Sequence, residues 1–241
     1  MIEAVVLDMG GVLLDLGTSN GLPAGRLDFR GRQALLELLG AEGRRATLED
    51  LDRLLFGPWH EEYGRRYARM QEAAWEPHLE RLRSEVETSR SDLELLGAWF
   101  EPYAQSVRPI EGAAAALSRL AAAGHSLALV SNVPLPGALY RGVLARYDLA
   151  GPFALFQFSY DEGSRKPSPK MLLSALSALG CEPARAVMVG DRPATDMAAG
   201  IAAGTRTIRV RSSHPPGPLP DAEIACLAEL PELLARWGTA A

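Results

Sequence analysis

Cysteine is nearly absent from this chain: Cys181 and Cys226 are the only two. Their spacing matches no metal-ligand pattern and one pair makes no disulfide framework, so reduced thiols and a cytoplasmic setting are expected. Long apolar runs are missing as well. No stretch approaches the ~20 residues of a membrane span, and no basic segment of a secretory leader precedes the first apolar stretch. Nor is positive charge in excess. Lysine and arginine number 25 against 30 aspartates and glutamates, a formal charge of −5, which gives no basis for non-specific attraction to nucleic acid or to an anionic membrane. No internal repeat is visible.

Apolar material is plentiful. Hydrophobic residues make up 47% of the 241 and charged residues 23%, enough for a substantial core and too much for disorder. The length allows one large domain or a core with a smaller companion. The chain is organised around residues 2–15, IEAVVLDMGGVLLD. Residues 2–7 are apolar except Glu3, the pattern of a strand buried on both faces in a parallel sheet. That strand ends in Asp8, and Gly10 and Gly11 follow, so a carboxylate stands where a central strand turns sharply. Ligands bind at that edge of an open α/β sheet. A carboxylate there serves as a nucleophile or metal ligand, or merely caps the turn.

After Leu14, the residues Gly17, Asn20, Gly21, Pro23 and Gly25 give a loop composition. Residues 34–39 read as a helix stopped by Gly40. Thr47 caps a helix carrying Leu48, Leu51, Leu54 and Leu55, which Gly57 and Pro58 break. Trp59, Tyr63, Tyr67 and Met70 recur at helical spacing and read as a core stripe, with Pro77 ending that helix. Leu79, Leu82 and Val86 mark another helix, and Ser91 with Glu94 forms a capping box for the next. No strand pattern occurs between about residue 20 and residue 108, which predicts an all-helical insertion.

From Pro109 helix and strand alternate. Strands are expected at 126–130, 154–158, 186–189 and 207–210, with helices at 113–123, 137–147, 169–179 and 195–203 between them. Residues 214–220, HPPGPLP, read as a surface connection, followed by an edge strand within 222–227 and a closing helix at 231–237. Alternating βα units imply a parallel sheet with helices on both faces, a three-layer α/β core. The expected division is a core of residues 1–16 and 108–241 and a helical domain of residues 17–107.

Four further polar groups fall at carboxyl ends of these strands. Ser131 ends the second, Lys166 follows the third in SRKPSP, and Asp191 and Asp196 follow the fourth in GDRPATD. Each has a modest explanation alone, as a turn cap, a solvated lysine or a helix-start carboxylate. Together with Asp8 they converge on one sheet edge, and the set suits phosphoryl transfer. Carboxylates hold Mg²⁺ through oxygen, a lysine and a hydroxyl stabilise phosphoryl oxygens, and a carboxylate nucleophile gives an aspartyl-phosphate for water to hydrolyse.

DMGGVLLD at Asp8, VSN at Ser131, SRKPSP at Lys166 and GDRPATD at Asp191 and Asp196, in this order and with a helical insert after the first, resemble the haloacid dehalogenase (HAD) superfamily. The resemblance covers nearly the whole chain and is to the subgroup with a helical cap. It implies a Rossmann-like core and a Mg²⁺-dependent phosphatase acting on a small phosphate ester, with Asp8 as nucleophile and Lys166 as its catalytic partner. It further implies Mg²⁺ on Asp8, the Gly10 carbonyl and Asp191, with Asp196 as a ligand or one step removed, and phosphate on Ser131, Asn132 and Lys166. The cap is expected to set specificity, with His60, Glu61, Arg65 and Arg66 as candidate contacts.

One departure matters. Phosphatases of this family have a second aspartate two positions after the nucleophile, and this chain has Gly10. Loss of general acid/base help costs about 10²- to 10⁴-fold. Two other readings therefore stay open: hydrolytic dehalogenation, which needs no such aspartate, and a non-catalytic binding protein that kept the fold.

Overall fold

The computed structural model describes residues 1–18 and 21–239; the expected loop residue Asn20 lies outside them. The strands are β1 (Ala4–Leu7), β2 (Leu14–Asp15), β3 (Arg108–Pro109), β4 (Ser126–Ser131), β5 (Leu155–Phe158), β6 (Ala186–Gly190), β7 (Arg206–Val210) and β8 (Ala222–Ile224). Six of them form one sheet in the order β5-β4-β1-β6-β7-β8, all parallel. The first strand is thus central. Leu7 is in register with Leu129 of β4 and Val189 of β6, so the residues that follow these three strands emerge side by side.

The alternation along β1 explains the layers. Val5 and Leu7 pack on one face with Leu117, Leu120, Leu144 and Leu234, from helices Ala113–Ala122, Gly137–Arg146 and Leu230–Thr239. Ala4 and Val6 face the other way, onto Leu172, Leu176 and Ala203 of helices Lys170–Leu179 and Ala198–Ala203. A strand covered on both faces must be apolar throughout, which is why it reads as a continuous run. This is a three-layer, Rossmann-like α/β core.

Only helices occur among the described residues between β2 and β3. They are Arg26–Ala41, a continuous helix over 48–67, Glu76–Val86 and Asp92–Ala104. β2 and β3 pair antiparallel, Leu14 with Pro109 and Asp15 with Arg108, joining the two ends of the inserted segment. Two-residue strands have no sequence period, and neither was expected. No described helix is long and apolar enough to cross a membrane.

Several helix boundaries differ from the sequence expectation, the first helix already starting at Arg26. The first helix runs through Gly40 to Ala41, and Gly43, at φ 74°, makes the turn. Gly57 and Pro58 do not break the second helix, because Asp52–Phe56 is one π-helical turn in which the Gly57 amide bonds the Asp52 carbonyl five residues back. That turn re-phases the ladder where proline has no amide to give, and a Cβ at Gly57 would lie 2.7 Å from the Asp52 carbonyl oxygen. Pro77 opens the helix Glu76–Val86 rather than closing the one before. The expected capping box of Ser91 with Glu94 is formed, and the expected cap Thr47 forms one too, with Asp50. The aromatic stripe divides. Trp59 is fully buried and stacks on Trp75 with centroids 3.8 Å apart, whereas Tyr67 and Met70 are exposed.

Candidate active site

Asp8 leaves β1 with its amide on the Val189 carbonyl, and the chain then folds into a tight turn in which the amides of Leu13 and Leu14 bond the Met9 carbonyl. Gly11 makes that turn possible. Its φ is +71°, and a Cβ there would stand 2.3 Å from Asp191 Oδ2, so only glycine lets the loops after β1 and β6 come this close.

Lys166 ties the loops together. Its Nζ donates to Asp8 Oδ1 at 2.8 Å and to the Val130 carbonyl at 2.8 Å, and lies 2.7 Å from Asp196 Oδ1, with 2% of the side chain exposed. Burial alone would lower its ammonium, but Asp196 and Asp8 outweigh that and hold the pKa above the ordinary lysine value. Asn132 fixes the lysine's backbone: its Oδ1 accepts from the Lys166 amide at 2.8 Å and its Nδ2 donates to the Lys166 carbonyl at 2.9 Å. Ser131, at the end of β4, is buried beside it.

Asp196 sits on a π-helical turn, Pro193–Met197, where its Oδ2 accepts from the Arg192 amide at 3.0 Å. Asp191 precedes that turn. Ligand atoms of Asp8, Asp191 and Asp196 lie within 4.8 Å of one another, and all three residues are buried. Burial, followed by the neighbouring Asp8 and Asp196, pushes the Asp191 carboxyl up to about 7. Its Oδ1 is buried without a hydrogen-bond partner, while Oδ2 lies 3.3 Å from His214 Nε2.

Asp8, Ser131, Asn132 and Lys166 line a cavity of about 50 Å³. Its opposite wall comes from Tyr63 and Tyr67 of the helical segment, with Arg165 between the two. Burial raises the Tyr63 phenol to about 12, so it is a neutral hydroxyl at physiological pH. Gly10 lines the cavity too, and Leu16 occupies the space its side chain would need: a Cβ on Gly10 would be 2.9 Å from Leu16 Cδ1.

Every residue expected at the site, Asp8, Gly10, Ser131, Asn132, Lys166, Asp191 and Asp196, lies at this sheet edge. Of the four candidate contacts on the helical segment, His60, Glu61, Arg65 and Arg66 are all exposed and none lines the cavity. Tyr63, Tyr67, Arg165 and His214 were not singled out as site residues. Tyr63 and Tyr67 stood in the aromatic stripe, and Arg165 stood next to Lys166; nothing local marks His214.

The cluster fits a divalent cation. Three buried carboxylates gather round one buried ammonium, with Arg192 and His214 beside Asp191, and Asp191 keeps an unpartnered oxygen for a ligand.

A family model described as haloacid dehalogenase-like hydrolase matches residues 2–204. Over 111 residues the chain is 38% identical to phosphoserine phosphatase of Thermus thermophilus, covering 44% of this chain and 43% of that protein. It spans less than half the length of the curated relatives it matches. Among solved structures, a 2-haloacid dehalogenase of Pseudomonas syringae pv. Tomato aligns over 98% of this chain and 100% of its own, with TM-score 0.62 and 24% identity. A HAD phosphatase of Thermococcus onnurineus aligns over 97% and 98%, with TM-score 0.63 and 23% identity. These structural likenesses concern the fold, and they rank a dehalogenase and a phosphatase nearly equally.

Proposed function

The chain belongs to the haloacid dehalogenase-like hydrolase family, and from that premise we propose that it is a cytoplasmic, Mg²⁺-dependent phosphatase of a small phosphate ester. The observation that carries the proposal is the joint placement of Lys166 between Asp8 and Asp196 with Asp191 alongside. Attack on a carbon–halogen bond needs no such carboxylate cluster. The phosphatase name of the curated relative supports the same choice.

In this reading the Asp8 carboxylate attacks phosphorus, the bond to the ester oxygen breaks, and the aspartyl-phosphate is later hydrolysed by water. Lys166 stays protonated and offsets charge on the transferring group, and the Ser131 hydroxyl donates to a phosphoryl oxygen. Asn132 keeps the lysine in place through its backbone. Asp8, Asp191 and Asp196 would hold Mg²⁺, with the Gly10 carbonyl as a further oxygen ligand. Bound there, the ion would screen repulsion between carboxylate and phosphate. Gly10 offers no proton to the leaving group. The helical segment acts as a cap, its Tyr63 and Tyr67 closing the cavity against water.

Phosphate release from a panel of phosphorylated metabolites tests this directly. Turnover that requires Mg²⁺ and stops in EDTA is expected. Turnover of a haloacid that persists in EDTA would establish the dehalogenase reading, and no turnover of any ester would leave the binding protein.

A further inference from the structure

Residues 211–217 read from their prolines as a surface connection, yet they close on the carboxylate cluster. The Ser212 hydroxyl donates to the Asp191 carbonyl at 2.7 Å and accepts from the His214 amide at 3.3 Å. Arg209 of β7 pins the segment, its Nη2 donating to the Ser212 carbonyl at 3.3 Å and to the His214 carbonyl at 3.2 Å. Gly217 lies so near the turn that carries Asp196 that a Cβ on it would stand 2.9 Å from Pro193 Cβ and 3.3 Å from the Ala194 amide nitrogen. So held, His214 brings Nε2 to 3.3 Å from Asp191 Oδ2. We propose that this connection is a supporting loop of the cation site and that His214 is a positioning residue for Asp191, holding one carboxylate oxygen so that the other is left for the ion. This deepens the Mg²⁺ reading of the site and rests on it.

The two oxygens of Asp191 have different surroundings. Oδ2 has the His214 ring beside it, whereas Oδ1 is buried without a hydrogen-bond partner, an arrangement that costs free energy until a ligand fills it. The terminal torsion of an aspartate is broad and two-fold, and a donor at one oxygen restricts it. Carboxylates that bind metals rely on such outer partners to set their orientation. Histidine suits the place because Nε2 can carry a hydrogen toward the carboxylate in the neutral ring as in the charged one, so the contact needs no change of charge.

Position separates this role from two others. The His214 side chain is 33% exposed, so removing its N–H takes little core packing with it. Nor is it placed as a ligand itself. Among the described residues, the ligand atoms that gather within 4.8 Å of one another come from Asp8, Asp191 and Asp196, without His214.

The test measures Mg²⁺ affinity by isothermal titration calorimetry on the wild-type protein, on His214→Phe, which keeps a ring but no N–H, and on His214→Gln, which keeps a donor at similar reach. His214→Phe should bind Mg²⁺ about 10- to 100-fold more weakly, and His214→Gln should recover most of that loss. Without metal, both variants should melt within about 2 °C of wild type. Unchanged affinity in His214→Phe would overturn the proposal, and so would equal losses in the two variants, which would assign the effect to packing rather than to the N–H. Tighter binding in His214→Phe would also overturn it, because the ring would then compete with the ion for Asp191. A second measurement needs no variant to fold. In ¹⁵N-histidine spectra of the wild type, His214 Nε2 should remain the hydrogen-bearing nitrogen when Mg²⁺ is added, and its conversion to a bare nitrogen would contradict the role. A wild-type protein that binds no Mg²⁺ at all would sink the metal reading of the site and this proposal with it.

Discussion

The two walls of the cavity are built on different principles. On the sheet edge, functional groups are fixed by backbone and by one another: Lys166 has three partners, Asn132 grips its peptide, and the Arg192 amide holds Asp196. The helical wall is held by an aromatic core, Phe56, Trp59, Trp75 and Trp99, packed ring against ring, and its helices send Tyr63 and Tyr67 to the cavity. It meets the core through apolar packing, Phe100 edge-on against Tyr140, and through polar ties such as Trp75 Nε1 to the Pro134 carbonyl at 2.9 Å and the Glu72–Arg165 pair. The contrast is between groups that cannot be moved without losing the chemistry and side chains that can be exchanged to change the substrate.

Substitutions on the two walls should therefore differ in kind. Asp8→Asn removes the nucleophile at nearly constant size, and turnover should fall by at least about 10⁴-fold with circular dichroism unchanged. Activity near wild type would remove Asp8 from the mechanism. Gly11→Ala forces a Cβ into Asp191 Oδ2 in a left-handed backbone, and calorimetry should show Mg²⁺ affinity reduced by about 10- to 100-fold. An unchanged affinity would detach Asp191 from the ion.

Acidity sharpens the same contrast. With the Asp191 carboxyl at about 7, proton and metal compete, so Mg²⁺ affinity should rise about tenfold between pH 6 and pH 8. The sign for stability is opposite. The folded pKa exceeds the unfolded value of 3.8, so the metal-free protein binds the proton better when folded and loses stability as pH rises from about 4 to 7. Calorimetric titrations and thermal melts across that range measure both slopes, and flat profiles would mean Asp191 is ionised throughout. The smallest effect belongs to the helical wall. Tyr67→Leu should raise KM about two- to fivefold, the scale of a partly exposed cation–π contact, and leave kcat alone. A collapse of kcat would give that wall a part in the chemistry.

The sheet edge was legible in the sequence because its logic is local. A continuous apolar run marks a doubly covered strand, and whatever polar residue ends it stands at the ligand-binding edge; Asp8, Ser131, Asp191 and the region of Lys166 all follow from that rule. The helical wall was less legible. Gly57-Pro58 reads as a break unless a π turn is known to precede it, and an aromatic stripe does not say that Trp59 faces a core while Tyr63 and Tyr67 face a cavity. Arg165 and His214 gain meaning only from what lies across from them, Glu72 and Asp191, which are distant in the chain. Gly10 stands in the sequence where an acid is expected, but the Leu16 side chain that fills its place belongs to tertiary packing.

The missing acid at Gly10 makes the central claim measurable. Without a side chain to activate water, the second step should be the slow one, and an ester with a good leaving group should load the enzyme before it turns over. The wild-type protein is mixed with Mg²⁺ and a ³²P-labelled aryl phosphate, quenched in acid, and counted for protein-bound label. A burst of phenol matched by labelled protein, discharged by hydroxylamine and absent in Asp8→Asn, is the predicted result. Steady turnover with no labelled protein and no burst would contradict an aspartyl-phosphate on Asp8.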